Sequence, residues 1–202
     1  MDATTFYNLP TEEVAQIVQK AGPKVCVFPI NGTRRWFMLE YPQQAEKDLI
    51  SNYLDIAGKR HIELYQLFFD HGINTLLTPV FGPDLLKRGE SYTQAIGAEG
   101  LARLATHPDF LAFYEAYEVR VQFYGDYHKA LSNTPYSYLS EFFYEVTAKT
   151  QSNNKTRLFF GVFAHDATET IAELSIDYYT KHNCVPDKKT IVELYYGEYV
   201  AP

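Results

Sequence analysis

The chain has 202 residues and a mass of 23.3 kDa, enough for one domain with a substantial hydrophobic core. Its formal net charge of −7 argues against a surface for a nucleic acid polymer, which needs a basic field, but leaves room for a local basic pocket. Its sequence has neither an apolar run long enough to span a bilayer nor a visible signal peptide, so we expect a cytoplasmic protein.

Apolar periodicity and turn signals predict strands that alternate with helices along the chain. The predicted strands cover residues 25–30, 73–81, 119–124 and 157–163, and the predicted helices cover residues 11–20, 43–71, 91–106, 108–117, 135–150, 167–181 and 187–196. Such alternation is typical of an α/β fold in which a mostly parallel sheet is covered by helices on both faces. We expect residues 1–202 to form a single domain of this class.

The stretch of residues 25–36 carries the strongest functional signal. An apolar run ends in Asn31 and Gly32, and Arg34 and Arg35 follow directly. A strand that stops at a glycine turn and enters a helix leaves N–H groups free at the helix start, which favours an anion. Guanidinium groups add planar donors for phosphate oxygens. The pattern indicates a diphosphate cradle, and the alternative is an ordinary turn whose arginines pair with surface carboxylates.

Polar residues also follow the other three predicted strands. These are Asp84, Asp126 and the pair His165 and Asp166. Ligands of parallel sheets bind outside the carboxyl ends of the strands, so convergence of these residues on one edge favours a site there. Each residue has a structural alternative as a helix cap or turn residue, and for Asp126 we favour the turn.

Aromatic residues are unusually frequent, with 17 Tyr, 14 Phe and one Trp. One interpretation is that they fill the core. The other is a channel for a long hydrocarbon tail, with aromatic faces close to a developing carbocation. Composition alone does not separate the two.

Several motifs resemble those of one known enzyme family. The run Asn-Gly-Thr-Arg-Arg-Trp at residues 31–36 is similar to the Asp-Gly-Asn-x-Arg-Trp signature of the cis-prenyltransferases, the undecaprenyl diphosphate synthase family. Residues 22–37 resemble more closely a divergent branch that moves a cyclic diterpenyl group from its diphosphate. Further segments that fit this branch lie at residues 69–73, 81–92, 123–127, 160–167 and 195–200.

The resemblance implies a cis-prenyltransferase-like fold and an enzyme that acts on a prenyl or cyclic terpenyl diphosphate. It implies that diphosphate leaves and that a nucleoside or water captures the allylic cation. It also implies Mg²⁺ as cofactor and a homodimer. The implied residues are Gly32, Thr33, Arg34 and Arg35 for the diphosphate, Asn31, Tyr53 and Tyr92 for catalysis, and Asp84 for the metal. For Tyr53, an ordinary place in the helix core is an equal alternative.

Three departures from the family pattern leave the function open. Asn31 stands where the family has Asp, so the charge of a magnesium ligand is lost. Three explanations of this asparagine are open: an engineered substitution, a natural change of chemistry, or a non-catalytic relative. Asp84 is alone where the branch has an acidic pair. The family continues into an Arg-x-Ser segment that we expect to be missing here, since the sequence ends at Pro202. The alternatives are a non-catalytic partner subunit of a prenyltransferase and a chain-elongating synthase.

Overall fold

The computed structural model describes residues 2–22 and 25–200, so Pro23, Lys24 and Pro202 of the motifs above lie outside the described residues. The strands are β1 (Val25–Val27), β2 (Thr75–Phe81), β3 (Val119–Tyr124) and β4 (Thr156–Val162). The helices are α1 (Ala3–Tyr7), α2 (Thr11–Lys20), α3 (Thr33–Glu40), α4 (Pro42–Lys47), α5 (Leu49–Asp70), α6 (Glu90–Tyr92), α7 (Glu99–Thr106), α8 (Pro108–Ala116), α9 (Tyr127–Leu131), α10 (Leu139–Thr150), α11 (Ala167–His182) and α12 (Lys188–Tyr196). A 3₁₀ helix covers Pro83–Arg88, and a π-helical turn covers Thr93–Ala98.

The four strands form one parallel sheet in the order β1-β2-β4-β3. In this register Leu76 of β2 lies beside Cys26 of β1 on one side and Leu158 of β4 on the other. Parallel strands need crossover connections, and helices between consecutive strands supply them. The predicted α/β class is confirmed. Within the described residues, no helix is long and apolar enough to cross a membrane.

Several element boundaries differ from the prediction, and two of the differences have a clear local reason. The first strand ends at Val27 rather than residue 30; Phe28 still donates its N–H to Leu77 O at 2.8 Å, but Pro29 has no N–H to continue the ladder. The predicted helix over residues 43–71 is broken at Asp48, whose backbone is extended. The Asp48 carboxylate accepts the N–H of Ser51 at 3.1 Å and so caps the start of α5.

Many aromatic side chains fill a core on one face of the sheet. The largest fully buried side chains there include Tyr65 of α5, Tyr114 of α8, Phe143 of α10 and Phe160 of β4. The rings of Phe123 and Phe143 stack with centroids 4.1 Å apart. The core interpretation therefore holds for a large group of the aromatic residues.

The opposite face is covered in part by α12 and the segment that follows it. Val200 is buried in that face. The carboxylate of Glu198 accepts hydrogen bonds from Arg120 at 2.9 Å and from Arg157 at 3.2 Å, and Arg157 also donates to Tyr199 O at 2.8 Å. Arg120 lies in β3 and Arg157 in β4, so Glu198 ties the end of the described chain to two neighbouring strands. We call these contacts of Glu198 with Arg120 and Arg157 the clamp, and they give the segment at residues 195–200 a structural role.

Candidate functional site

A cavity of about 920 Å³ lies beside the carboxyl ends of β1 and β2. Its walls come from residues 30–35, from the end of β2 and the turn after it, from one face of α5, and from the helical region at residues 88–110. All eight site residues predicted from the sequence line it: Asn31, Gly32, Thr33, Arg34, Arg35, Tyr53, Asp84 and Tyr92. The fold thus brings these residues together around one concave surface, as expected of a small-molecule site.

The start of α3 forms one end of the cavity. Gly32 precedes the helix with φ 75° and ψ 7°, a left-handed conformation that favours glycine. Its N–H donates to Asn31 Oδ1 at 2.6 Å, so the amide of Asn31 is used to shape the turn. In the described part of the chain, the backbone N–H groups of Thr33, Arg34 and Arg35 have no acceptor. These free donors and the helix dipole favour an anion.

Three arginines at the cavity have no carboxylate within 4.0 Å among the described residues: Arg34, Arg35 and Arg88. The guanidinium carbons of Arg34 and Arg88 lie 5.1 Å and 5.2 Å from the ring centroid of Tyr92. Arg88 also donates to Tyr92 OH at 3.0 Å. The ion pairs that the ordinary-turn alternative expects are therefore not seen among the described residues, and these three side chains give the cavity an excess of positive charge.

Tyr53 projects from α5 toward the start of α3. Its OH and Thr33 Oγ1 are 2.8 Å apart and share a hydrogen bond. Burial raises the pKa of Tyr53, with the hydrogen bond to Thr33 opposing that effect. Its ring also meets the buried ring of Phe37 edge-on, with centroids 5.8 Å apart. Tyr53 therefore belongs both to the helix core and to the cavity wall, so the two alternatives raised for it are compatible.

Among the described residues that line the larger cavity, Asp84 is the only one with a carboxylate. Its side chain is largely exposed and forms an ion pair with Lys87 at 3.2 Å. No group of three His, Cys, Asp or Glu side chains in residues 2–22 and 25–200 is arranged to hold a metal ion. Protein ligands alone therefore do not make a metal site here. The arrangement fits only an ion that takes most of its ligands from phosphate oxygens and water, as Mg²⁺ does.

The polar residues after β3 and β4 do not line the cavity. The carboxylate of Asp126 accepts from Thr170 Oγ1 at 2.9 Å and 3.0 Å, and that of Asp166 accepts the N–H of Glu169 at 3.1 Å at the start of α11. The carboxylates of Asp126 and Asp166 are thus used to hold the first turns of α11 in place. The expected convergence of all four strand ends on one site is wrong because β4 and β3 follow β2 in the sheet, away from β1.

Arg88 and His61 are among the polar lining residues that sequence reasoning missed. Arg88 and Tyr92 are separated by Gly89, whose backbone is not helical, so no helix-face spacing in the sequence pointed to Arg88. Nothing in the pattern around His61 pointed to a ligand. Desolvation by burial lowers the pKa of His61 to about 4, so its imidazole is neutral at physiological pH.

A smaller cavity of about 390 Å³ adjoins the first. The two cavities share lining residues Arg34, Tyr53, Arg88, Tyr92 and Ile96. The shared wall thus consists of two tyrosines, one isoleucine and two arginines that have no ion pair among the described residues. A molecule in the smaller cavity would meet one in the larger cavity across this wall.

The sequence is similar to that of a known transferase. Tuberculosinyl adenosine transferase from Mycobacterium tuberculosis (strain CDC 1551 / Oshkosh) is 44% identical over 197 residues. The match covers 96% of this chain and 64% of the transferase, so the chain spans less than two thirds of its relative's length. No protein-family model matches the chain.

Solved structures share the fold at low sequence identity. The crystal structure of a probable undecaprenyl diphosphate synthase from Campylobacter jejuni has a TM-score of 0.57 and 15% identity, covering 86% of this chain and 69% of that one. Lavandulyl diphosphate synthase from Lavandula x intermedia, in complex with dimethylallyl diphosphate, has a TM-score of 0.50 and 16% identity. The match covers 91% of this chain and 72% of the synthase. The chain is thus similar in sequence to this transferase and shares the fold of these diphosphate synthases.

Proposed function

We propose that this chain binds a prenyl or cyclic terpenyl diphosphate, expels the diphosphate, and passes the allylic group to a nucleoside or to water. The observation that carries the proposal is a group of three arginines that line the cavity of about 920 Å³ and have no carboxylate within 4.0 Å among the described residues. Arg34 and Arg35 lie at the start of α3, and Arg88 lies at the end of the 3₁₀ helix. The name of the 44% identical relative, an adenosine transferase, supports a nucleoside acceptor.

In this proposal the backbone N–H groups of residues 33–35 bind the diphosphate together with Arg34, Arg35 and Arg88. Charge-assisted hydrogen bonds to phosphate are stronger than neutral ones, and two parallel guanidinium donors fix its orientation. When the C–O bond breaks, its electron pair leaves with the diphosphate. Donors already in place stabilise that growing negative charge without reorganising, which lowers the barrier.

The hydrocarbon part would lie farther along the cavity. That region is lined by apolar side chains of α5 and of the helices packed on it, including Leu54, Ala57, Ile96, Leu104 and Phe110. Burying a hydrocarbon there contributes about 25 cal/mol per Å² removed from water. The cavity volume is in the range of sites that enclose a small ligand.

The acceptor would occupy the smaller cavity. Tyr53 and Tyr92 lie in the wall between the two cavities, where they would exclude bulk water from the allylic cation. A nucleoside nitrogen would form the new bond to carbon with its own lone pair. A water acceptor would release one proton and give an alcohol.

Mg²⁺ is part of this proposal, with Asp84 as its protein ligand and diphosphate oxygens as the others. The ion would supply positive charge to the leaving group. Asn31 would be a weak ligand, since its amide is neutral and its oxygen accepts from Gly32. We also infer a homodimer, from the family resemblance alone.

Titration of inorganic pyrophosphate by calorimetry tests the binding site. Arg35→Ala is expected to raise the Kd about tenfold to 150-fold, since a hydrogen bond to a charged group contributes about 1.5–3 kcal/mol. Arg60→Ala is the matched control, because Arg60 lies outside the cavity and pairs with Glu63 on the surface of α5. Equal pyrophosphate affinity of wild type and Arg35→Ala would remove Arg35 from the site and contradict the proposal.

A further inference from the structure

His61 is a polar side chain in the apolar part of the cavity. It lines the cavity on the same face of α5 as Tyr53, Ala57 and Gly58. In the described part of the chain His61 takes part in no hydrogen bond or ion pair, and its Nε2 is buried. A buried polar atom without a partner costs free energy, so such atoms in folded proteins call for a ligand or a bound water.

The position of His61 along α5 sets its distance from the diphosphate. Tyr53 touches Thr33 at the start of α3, where the diphosphate would bind. His61 follows Tyr53 by eight residues, which is about 12 Å along a helix that rises 1.5 Å per residue. His61 is therefore too far from the cleaved C–O bond to act on it. It lies where the distal part of a hydrocarbon chain would lie.

The surroundings of His61 hold the imidazole ring in place. Its ring stacks on that of Tyr65, with centroids 6.2 Å apart and an interplanar angle of 30°. The Tyr65 ring is itself fully buried against Phe113 and Phe160. The hydroxyls of Tyr65 and Thr78 are also buried without a hydrogen-bond partner among the described residues, but neither residue lines the cavity. Arg103, which does line it, is already paired with Asp55 and Glu99. His61 is thus an oriented, neutral hydrogen-bonding group that no protein group satisfies.

We propose that His61 is a specificity-determining residue that hydrogen-bonds a polar group on the distal hydrocarbon part of the diphosphate substrate. The substrate class is then an oxygenated prenyl or terpenyl diphosphate, with a hydroxyl on the part of the chain that lies away from the diphosphate. Burial of an unsatisfied ring nitrogen disfavours a purely hydrocarbon chain at this position. This inference rests on the proposed function, since it assumes that the diphosphate binds at α3.

The test uses two pairs of uncleavable ligands. Geranyl and farnesyl S-thiolodiphosphates are each compared with the analogue that has a hydroxyl on its terminal carbon, by calorimetric titration. Wild type is expected to bind one hydroxylated analogue about twofold to tenfold more tightly than its parent, the net effect of one hydrogen bond. His61→Phe, which keeps an aromatic ring, is expected to lose this preference. Tyr65→Phe is the control and should keep it.

Labelling the histidine ring nitrogens with ¹⁵N gives a second measurement that needs no variant. The shifts of His61 are expected to change with the hydroxylated analogue and not with its parent. If both parent compounds bind but neither hydroxyl improves affinity or moves the His61 signals, this inference is overturned and the proposed function stands. If no thiolodiphosphate binds at all, the proposed function fails and this inference fails with it.

Discussion

The low pKa of His61 predicts a specific pH dependence of folding. The pKa is about 4 in the folded protein and 6.5 for a free side chain, because burial disfavours the charged imidazolium. Between these two values the unfolded chain binds more protons than the folded protein. The free energy of unfolding therefore increases with pH across this window, and the contribution is lost as the pH falls from 6.5 to 4.

The size of the effect follows from the two pKa values. At about 1.4 kcal/mol per pH unit, the interval from 6.5 to about 4 corresponds to about 3 kcal/mol. Stabilities of domains of this size are about 5–15 kcal/mol, so the loss would be a large fraction of the total. His61→Phe removes the titrating group and keeps an aromatic ring on Tyr65. The free energy of unfolding of the His61→Phe variant should therefore lack the part of the pH dependence that comes from His61.

Urea unfolding at half-unit steps from pH 4 to pH 7 measures the effect. The difference in free energy of unfolding between wild type and His61→Phe should change by about 3 kcal/mol across the range. Tyr65→Phe is the control, since burial raises the pKa of Tyr65 and its hydroxyl stays neutral throughout. A pH-independent difference between wild type and His61→Phe would refute the reasoning and show that His61 is hydrated in the folded protein.

Three further predictions concern the site and the fold. Asn31→Asp is expected to increase pyrophosphate release from an allylic diterpenyl diphosphate when Mg²⁺ is present, because a carboxylate binds this cation better than an amide; no release by either form would favour a non-catalytic partner subunit. Gly125→Ala should lower the free energy of unfolding, measured in urea, by about 1–3 kcal/mol. The φ angle of Gly125 is +102°, and a Cβ at this position would lie 2.5 Å from Val162 O. Gly82→Ala is the control and should have little effect, because a Cβ there meets nothing within 4 Å. Glu198→Gln should lower the thermal unfolding free energy by about 1–3 kcal/mol through its two arginine partners; an unchanged melting temperature would argue against the clamp.

The sequence by itself determined the fold class and the start of the site. Alternating strands and helices are local patterns, because side-chain periodicity of 2 or 3.6 residues reports which face of an element is buried. The third strand was therefore predicted with the bounds that the structure has, 119–124. The turn at Gly32 was equally readable, since a glycine between an apolar run and a helix allows a left-handed backbone. The small errors, at Pro29 and Asp48, came from single residues that interrupt a longer pattern.

Only the tertiary structure decided which distant residues share one cavity. The order β1-β2-β4-β3 keeps Asp84 at the site and leaves Asp126 away from it, and strand order depends on long-range pairing that no local pattern encodes. The same holds for the clamp, in which Glu198 reaches a residue 78 positions away. Burial decided the state of His61, because desolvation is a property of the packed surroundings rather than of neighbouring residues in the chain.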